Sequence, residues 1–359
     1  MKKIILTGGG TAGHVTPNLA LIPHLRNAGY DILYIGSYEG IEKKLIQEAG
    51  VNYKGISTGK FRRYLSLKNL SDPFRVLKGK RQAKKIIKEY RPDVLFSKGG
   101  FVAVPVVRAA KKYHVPIIIH ESDMTPGLAN KLCYSAAQKV CCNFPETLKS
   151  LPEKKAVLSG SPIRDELLTG SREKGSAFTG LTGNKPVIMM MGGSLGSRII
   201  NENLRKALPL LLPDFDIVHL CGKGNLDESL KSTPGYVQFE YVSAGLNDLF
   251  ALADIVLSRA GANSICELLS LRLPNLLVPL SAQVSRGDQI LNADSFKKQG
   301  FSAVLCEEDM TPETLNAALR DLYANRQAYI KAMEGSDLGN GVKTVMGLIN
   351  SLSGAGSAD

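Results

Sequence analysis

The sequence contains no tryptophan, no CxxC pair and no apolar run near the roughly 18 residues that span a bilayer. Its candidate apolar stretches, such as residues 187–191 and 208–212, have the length of core segments. The N-terminus pairs two lysines with a short apolar stretch. Glycines at 8–10 end that stretch before it reaches the about 7–15 residues of a signal-peptide core. These absences argue against a membrane-spanning protein and predict a cytoplasmic one. The six cysteines, at 133, 141, 142, 221, 266 and 306, lack zinc-ligand spacing and read as buried reduced thiols. Acids are scarce relative to bases, 33 against 45, giving a net charge of +12 over 359 residues. At about 100–200 residues per domain, this length predicts two domains.

Most of the excess charge sits in one stretch. Residues 59–85 carry ten bases and a single acid, Asp72, with Phe61, Tyr64, Leu65, Phe74 and Leu77 interleaved. Mixed cationic and apolar side chains suit an anionic membrane surface, where cations meet headgroups and apolar groups dip below them. A nucleic-acid face and a solvated helix packing its apolar side inward are the competing readings.

Strand and helix signals alternate along the chain. Residues 3–7, 32–35, 94–97, 117–120 and 139–142 read as short buried strands, with helices predicted over 17–28, 82–90 and 104–113. A polar interval at 169–185 lacks periodicity. Strands then resume at 186–191, 216–220, 255–258, 275–278 and 303–306. This is the rhythm of parallel sheets with crossover helices. Each half opens with a strand, a glycine-rich loop and a helix. The class expected is α/β, two Rossmann-like domains with parallel sheets separated by a cleft.

The first loop, Gly8-Gly9-Gly10-Thr11-Ala12-Gly13-His14, contains a formal GxGxxG. A dinucleotide site also wants an acid ending the second strand, but Gly36 stands there and Glu39 is displaced, so NAD binding is a weak reading. More generally, such loops let backbone N–H groups approach an anion at a helix start. Lys98-Gly99-Gly100-Phe101 and Gly192-Gly193-Ser194 offer two further cradles. His14, opening the first helix, is the candidate general base, against the plainer reading of a helix-capping histidine. In Arg259-Ala260-Gly261-Ala262-Asn263-Ser264-Ile265-Cys266-Glu267, a carboxylate follows a loop at a helix start. It suits paired ribose hydroxyls, or merely complements the helix dipole. Asp288, Gln289 and Asn292 suit sugar hydroxyls.

Taken in order, GGGTAGHVTP at 8–17, KGGFVAVP at 98–105, HESDMTPGLANK at 120–131, GSPIR at 160–164, GGSLGSR at 192–198, SRAGANSICEL at 258–268 and RGDQILNA at 286–293 resemble the MurG family of N-acetylglucosaminyltransferases. The resemblance covers nearly the whole chain. It implies a GT-B fold and an inverting transfer of GlcNAc from UDP-GlcNAc to the C4 hydroxyl of MurNAc in undecaprenyl-diphosphoryl-MurNAc-pentapeptide, without metal or cofactor. It implies an acceptor domain over 1–161, a UDP-GlcNAc domain over 162–336, a helix at about 337–352 able to pack back onto the first, and a flexible tail at 353–359.

Carried over residue by residue, it makes His14 the base. It gives the donor Thr11, Ala12, Gly13, Asp123, Arg164, Ser194, Val242, Ala262, Asn263, Ser264, Ile265, Cys266, Glu267 and Gln289. It gives the acceptor diphosphate Gly10, Gly13, Gly99, Gly100 and Phe101. The chain would sit peripherally on the cytoplasmic face of the cell membrane through 59–85 and bind no nucleic acid. Cell-wall or division proteins stay open as partners. Ala12, Asp123, Ser161 and Leu195 depart from the family pattern, and Asp123 or Glu121 becomes an alternative base. A transferase acting on another lipid, a UDP-GlcNAc 2-epimerase and a non-enzymatic UDP-sugar-binding scaffold stay open as competitors.

Overall fold

The structure, a computed structural model, describes residues 1–59, 72–193, 195–283 and 287–354, without the side chains of 72–74. Ser194, the first and most aromatic part of the basic stretch (60–71), Arg286 and the end of the tail lie outside the described residues, with the expectations placed on them.

The chain forms two compact units. The first comprises Met1–Arg164 together with Asn340–Asp359, and the second Asp165–Gly339. In the first unit, β1 (Lys2–Thr7), β2 (Tyr30–Ser37), β3 (Asn52–Ile56), β4 (Val94–Ser97), β5 (Ile117–Glu121), β6 (Lys139–Cys142) and β7 (Ala156–Leu158) form one sheet. Its order is β3-β2-β1-β4-β5-β6-β7. The pairings are parallel, so each crossover needs a helix or long loop. The helices are α1 (Thr16–Asn27), α2 (Ile41–Glu48), α3 (Asp72–Tyr90), α4 (Ala103–Lys112) and the short α5 (Leu128–Lys131). Successive residues of β1 feed opposite faces, as strand geometry requires: Ile5 joins the core under α3 and α4, while Ile4 and Leu6 join the core under α1. Burial on both faces makes the central strands read as continuous apolar runs.

The second unit has β8 (Val187–Met191), β9 (Asp216–Leu220), β10 (Tyr236–Phe239), β11 (Ile255–Ser258), β12 (Asn275–Leu277) and β13 (Ser302–Val304), ordered β10-β9-β8-β11-β12-β13. Its helices are α6 (Arg172–Thr179), α7 (Arg198–Leu211), α8 (Leu246–Leu252), α9 (Ala262–Leu271), α10 (Asp288–Lys298), α11 (Pro312–Ala324) and α12 (Arg326–Glu334). Helix α13 (Val342–Leu352) belongs to the first unit, where Val342, Val345 and Ile349 are buried in the core that contains Leu21 and Leu25 of α1.

Helix α6 lies within 169–185, the polar interval that shows no apolar periodicity. Ser171 caps it by accepting from the Lys174 N–H at 3.3 Å. Its buried residues are Gly175 and Thr179, and Gly175 lies against the Asp248 carbonyl of α8. Small residues make that seam, so no apolar stripe marks it. Cys306 corrects the thiol expectation: it is exposed, and the other five cysteines are buried. Among the described residues, no helix is long and apolar enough to cross a membrane.

Candidate active site

In both sheets the chain reverses winding direction at one gap, between β1 and β4 in the first and between β8 and β11 in the second. Open parallel sheets bind ligands outside the carboxyl ends of the strands at such gaps. Register brings the glycine loops there: Thr7 pairs with Ser97, and Met191 with Ser258. The loops opening at Gly8 and Lys98 are therefore neighbours, as are those opening at Gly192 and Arg259. Gly100 has a φ of +81°, and a side chain there would collide with the Gly9 carbonyl.

His14 lies in a 3-10 turn, Ala12–His14, just ahead of α1. Its Nδ1 is 3.0 Å from Thr11 Oγ1. Burial lowers its pKa to about 4; the Lys98 ammonium pushes the same way, and the Gly9 carbonyl and Glu42 carboxylate pull back. The ring is neutral at physiological pH, the state a base requires.

The layer beneath the loops is polar. Lys98 is buried with Nζ 2.8 Å from His120 Nδ1, and it donates to Ser122 Oγ at 2.7 Å. His120 Nε2 lies 2.9 Å from the Gly160 carbonyl, to which it donates, leaving Nδ1 to accept from the lysine. Burial, then the lysine charge, keeps this imidazole far below its ordinary pKa. Asn18 donates to the Tyr34 hydroxyl at 3.1 Å, and Tyr34 donates to the Gly8 carbonyl at 2.8 Å. Glu42 is buried and accepts from the Gly10 N–H at 3.2 Å, the Ser37 N–H at 3.0 Å and Ser37 Oγ at 2.5 Å.

This arrangement bears on two sequence expectations. The Gly10 N–H, assigned to the acceptor diphosphate, is donated to Glu42. Glu121, an alternative base, is buried, with its pKa raised by desolvation. It accepts from the Tyr134 hydroxyl at 2.6 Å and the Gly127 N–H at 3.3 Å, so it shapes the 122–127 loop. Asp123 is half-buried in that loop. Phe101 is exposed, and Gly99 packs against the Asn130 amide of α5.

Beside the first loop lies a cavity of about 670 Å³. Gly9, Gly10, Phe101 and Glu42 line it with Arg75 and Lys78 of α3. A second hollow of about 650 Å³, at Lys3, Tyr90 and Arg91, lies at the amino ends of β1 and β4, the edge such sheets do not use.

The donor assignments divide between the units. Thr11, Ala12, Gly13, Asp123 and Arg164 belong to the first; Val242, Ala262–Glu267 and Gln289 belong to the second. Helix α9 starts at Ala262, so the amides of Ala262, Asn263 and Ser264 form its positive end. Ile265 and Cys266 are buried on its inner face, and Glu267, the next residue, is half-buried. Gln289 Oε1 accepts from the Leu280 N–H at 3.1 Å, so its amide donor is what it can offer a sugar. Asn292 is buried and donates to the Ala260 carbonyl at 3.2 Å, a loop-holding role. Val242 is buried in the loop after β10. Leu195 is 82% exposed, and Ser161 is buried with its carbonyl accepting from the Gly341 N–H.

Arg259 was not singled out on sequence. It forms a buried ion pair with Glu307. It also donates to the Val278 and Pro279 carbonyls and to Ser197 Oγ, at 3.1, 3.2 and 2.8 Å. One side chain thus ties together the loops after β8, β11, β12 and β13.

Residues 4–142 match the glycosyltransferase family 28 N-terminal domain, and residues 187–347 match that family's C-terminal domain. The chain belongs to glycosyltransferase family 28. This family 28 chain is 63% identical, over 97% of its length and 99% of the relative's, to the UDP-N-acetylglucosamine--N-acetylmuramyl-(pentapeptide) pyrophosphoryl-undecaprenol N-acetylglucosamine transferase of Lachnospira eligens. It is 58% identical to the enzyme of the same name from Clostridium botulinum, over 97% of this chain and 99% of that one. Among solved structures it matches Acinetobacter baumannii MurG with a TM-score of 0.78 at 26% identity, covering 98% of this chain and 100% of that one. The two parallel-sheet units are thus of the GT-B type. A UDP-GlcNAc 2-epimerase from Neisseria meningitidis shares the fold alone, with a TM-score of 0.68 at 14% identity over 98% of this chain and 100% of that one.

Proposed function

We propose that this chain transfers GlcNAc from UDP-GlcNAc to the C4 hydroxyl of MurNAc in undecaprenyl-diphosphoryl-MurNAc-pentapeptide, forming lipid II. The observation that carries the reading is 63% identity, over both units, to an enzyme whose name states that transfer. The acceptor oxygen attacks the anomeric carbon, the bond to UDP breaks, and the centre inverts. Neutral His14 takes the hydroxyl proton. The start of α9 stabilises the negative charge growing on the UDP leaving group. Glu267 accepts from the ribose hydroxyls, and Arg164 and Ser194 join the diphosphate contacts. Val242 meets the uracil through its backbone. The Gly99–Phe101 loop meets the acceptor diphosphate. No metal is assigned a part in this scheme.

The test is to supply labelled UDP-GlcNAc and a short-chain lipid I analogue in the presence of EDTA. Labelled disaccharide lipid is expected. UDP-GlcNAc binding without transfer would move the reading to another lipid acceptor, and 2-epimerised sugar would move it to the epimerase.

The membrane face belongs to the same proposal. The Lys84 ammonium is held below its ordinary pKa by Lys112, burial, Lys80 and Arg81, in that order, the mark of crowded cations on α3 and α4. An anionic headgroup layer relieves that crowding. Replacing Lys80, Arg81, Lys84 and Lys112 with Gln is expected to release the protein from anionic vesicles while leaving UDP affinity intact. Full vesicle binding by that variant would reject the face.

A further inference from the structure

We propose that Glu42 is a positioning residue for the transfer, holding the backbone of the first glycine loop so that His14 meets the acceptor hydroxyl. The proposal rests on the transferase reading above. Its basis is a carboxylate pocket assembled from two segments, the loop after β1 and the stretch joining β2 to α2. A side chain at Gly9 in the loop after β1, at Gly36 near the end of β2, or at Gly40 ahead of α2 would collide with the Glu42 side chain. Gly9 and Gly40 would strike the carboxyl group itself, and Gly36 the Tyr53 hydroxyl first and then the stem. The carboxylate is fully buried, a costly state unless its oxygens are hydrogen-bonded. Donors from two segments meet that need: Ser37 gives its N–H and hydroxyl to Oε1, and Gly10 gives its N–H to Oε2.

The Gly10 bond has a mechanical consequence. Gly10 has a φ of +89° and directly precedes Thr11, which touches His14. Fixing the Gly10 amide fixes where the following turn begins. It also sets one wall of the cavity that Arg75 and Lys78 bound from α3. That side of the cavity is held as well: Gln82 of α3 donates to the Tyr38 hydroxyl at 2.7 Å and accepts from the Ser57 N–H at 2.8 Å. Glu42 itself touches no reacting atom in this scheme. It acts through the loop.

Three variants of the full chain test this. Glu42→Gln removes the charge and puts amide hydrogens beside donors. Gly40→Ala keeps the charge but displaces the carboxylate. The third combines both changes. Each single variant is expected to lose about ten- to a hundredfold in kcat, the scale of a misplaced catalytic group. Affinity for UDP, whose proposed uracil, ribose and helix-start contacts belong to the second unit, should be unchanged by calorimetry. The double variant should lose no more than the worse single one, because both act through one carboxylate. Hydrogen exchange of the peptide spanning Gly10 should accelerate in all three. Wild-type kcat in Glu42→Gln, additive losses in the double variant, or unchanged exchange at Gly10 would overturn the proposal. If the unmodified protein transfers no sugar, the transferase reading fails. Exchange at Gly10 then still decides whether Glu42 holds the loop.

Discussion

Replacing His14 with Ala is expected to lower turnover by about 10²–10⁴-fold, the usual contribution of a general base. UDP-GlcNAc affinity should stay at the unmodified level, because the proposed uracil and ribose contacts belong to the second unit. The pH dependence adds a second, sharper expectation. A histidine with its pKa lowered to about 4 is neutral, and competent as a base, throughout the range from 7 down to about 5. The kcat/KM for acceptor, which reports the free enzyme, should therefore show no acid limb from His14 at its ordinary pKa near 6.5. That limb should appear near 4. Turnover of His14→Ala within a few-fold of the unmodified protein would remove His14 as base and return Asp123 to consideration.

The second large effect concerns stability. Replacing Glu307 with Ala is expected to destabilise the second unit by about 3–5 kcal/mol, the cost of leaving one member of a buried ion pair behind. Arg259 and Glu307 side chains are 13% and 8% exposed, so water cannot readily replace the lost partner. Arg259 would keep its carbonyl and Ser197 contacts but lose the charge that holds it among four loops. UDP affinity should fall with stability, since the loop ahead of α9 carries both Arg259 and the proposed diphosphate amides. Urea unfolding of the purified variant checks the first effect and calorimetry the second. A change below about 1 kcal/mol, the size of an exposed pair, would show the bridge to be dispensable.

The central strands were legible in the sequence, and the reason is their burial. Residues such as Ile4-Ile5-Leu6 and Ile188-Met189-Met190 are covered on both faces and form unbroken apolar runs. The strands that escaped are at sheet edges. β3, β7 and β10 each close one side of a sheet, and each is partly exposed. β13, a fourth edge, starts one residue and ends two residues before the predicted 303–306. Helix α3 starts ten residues before the stretch predicted, because Pro73, Gly79 and a run of cations blur its apolar period. Gly79 is a packing residue: a side chain there would meet the Ser57 carbonyl.

At the site, glycines advertise the loops because backbone crossings leave a compositional trace. The groups that hold those loops leave none. Lys98 and Arg259 sit inside recognisable segments, yet their partners are far away in sequence, as Ser197 and Glu307 are from Arg259. Glu42 is subtler. A dinucleotide site wants an acid ending the second strand, and Gly36 stands there. The chain supplies its carboxylate from the first turn of α2, past the connection that follows β2, aimed at the loop amide that a ribose-binding acid would leave for pyrophosphate.

The return of α13 to the first unit has a consequence for how the protein is made. Val342, Val345 and Ile349 complete a core that begins at Ile4, and they leave the ribosome after the entire second unit. Domains ordinarily fold in the order of their synthesis. Here the earlier one can build its sheet first but must keep the α1 side of that core uncovered until the later one has been translated. The nascent chain therefore carries an exposed apolar seam, lined by Leu21 and Leu25, for the time needed to add Asp165–Gly339. At about 5–20 residues per second that is tens of seconds at the slow end, an interval in which a chaperone or the membrane surface can occupy the seam.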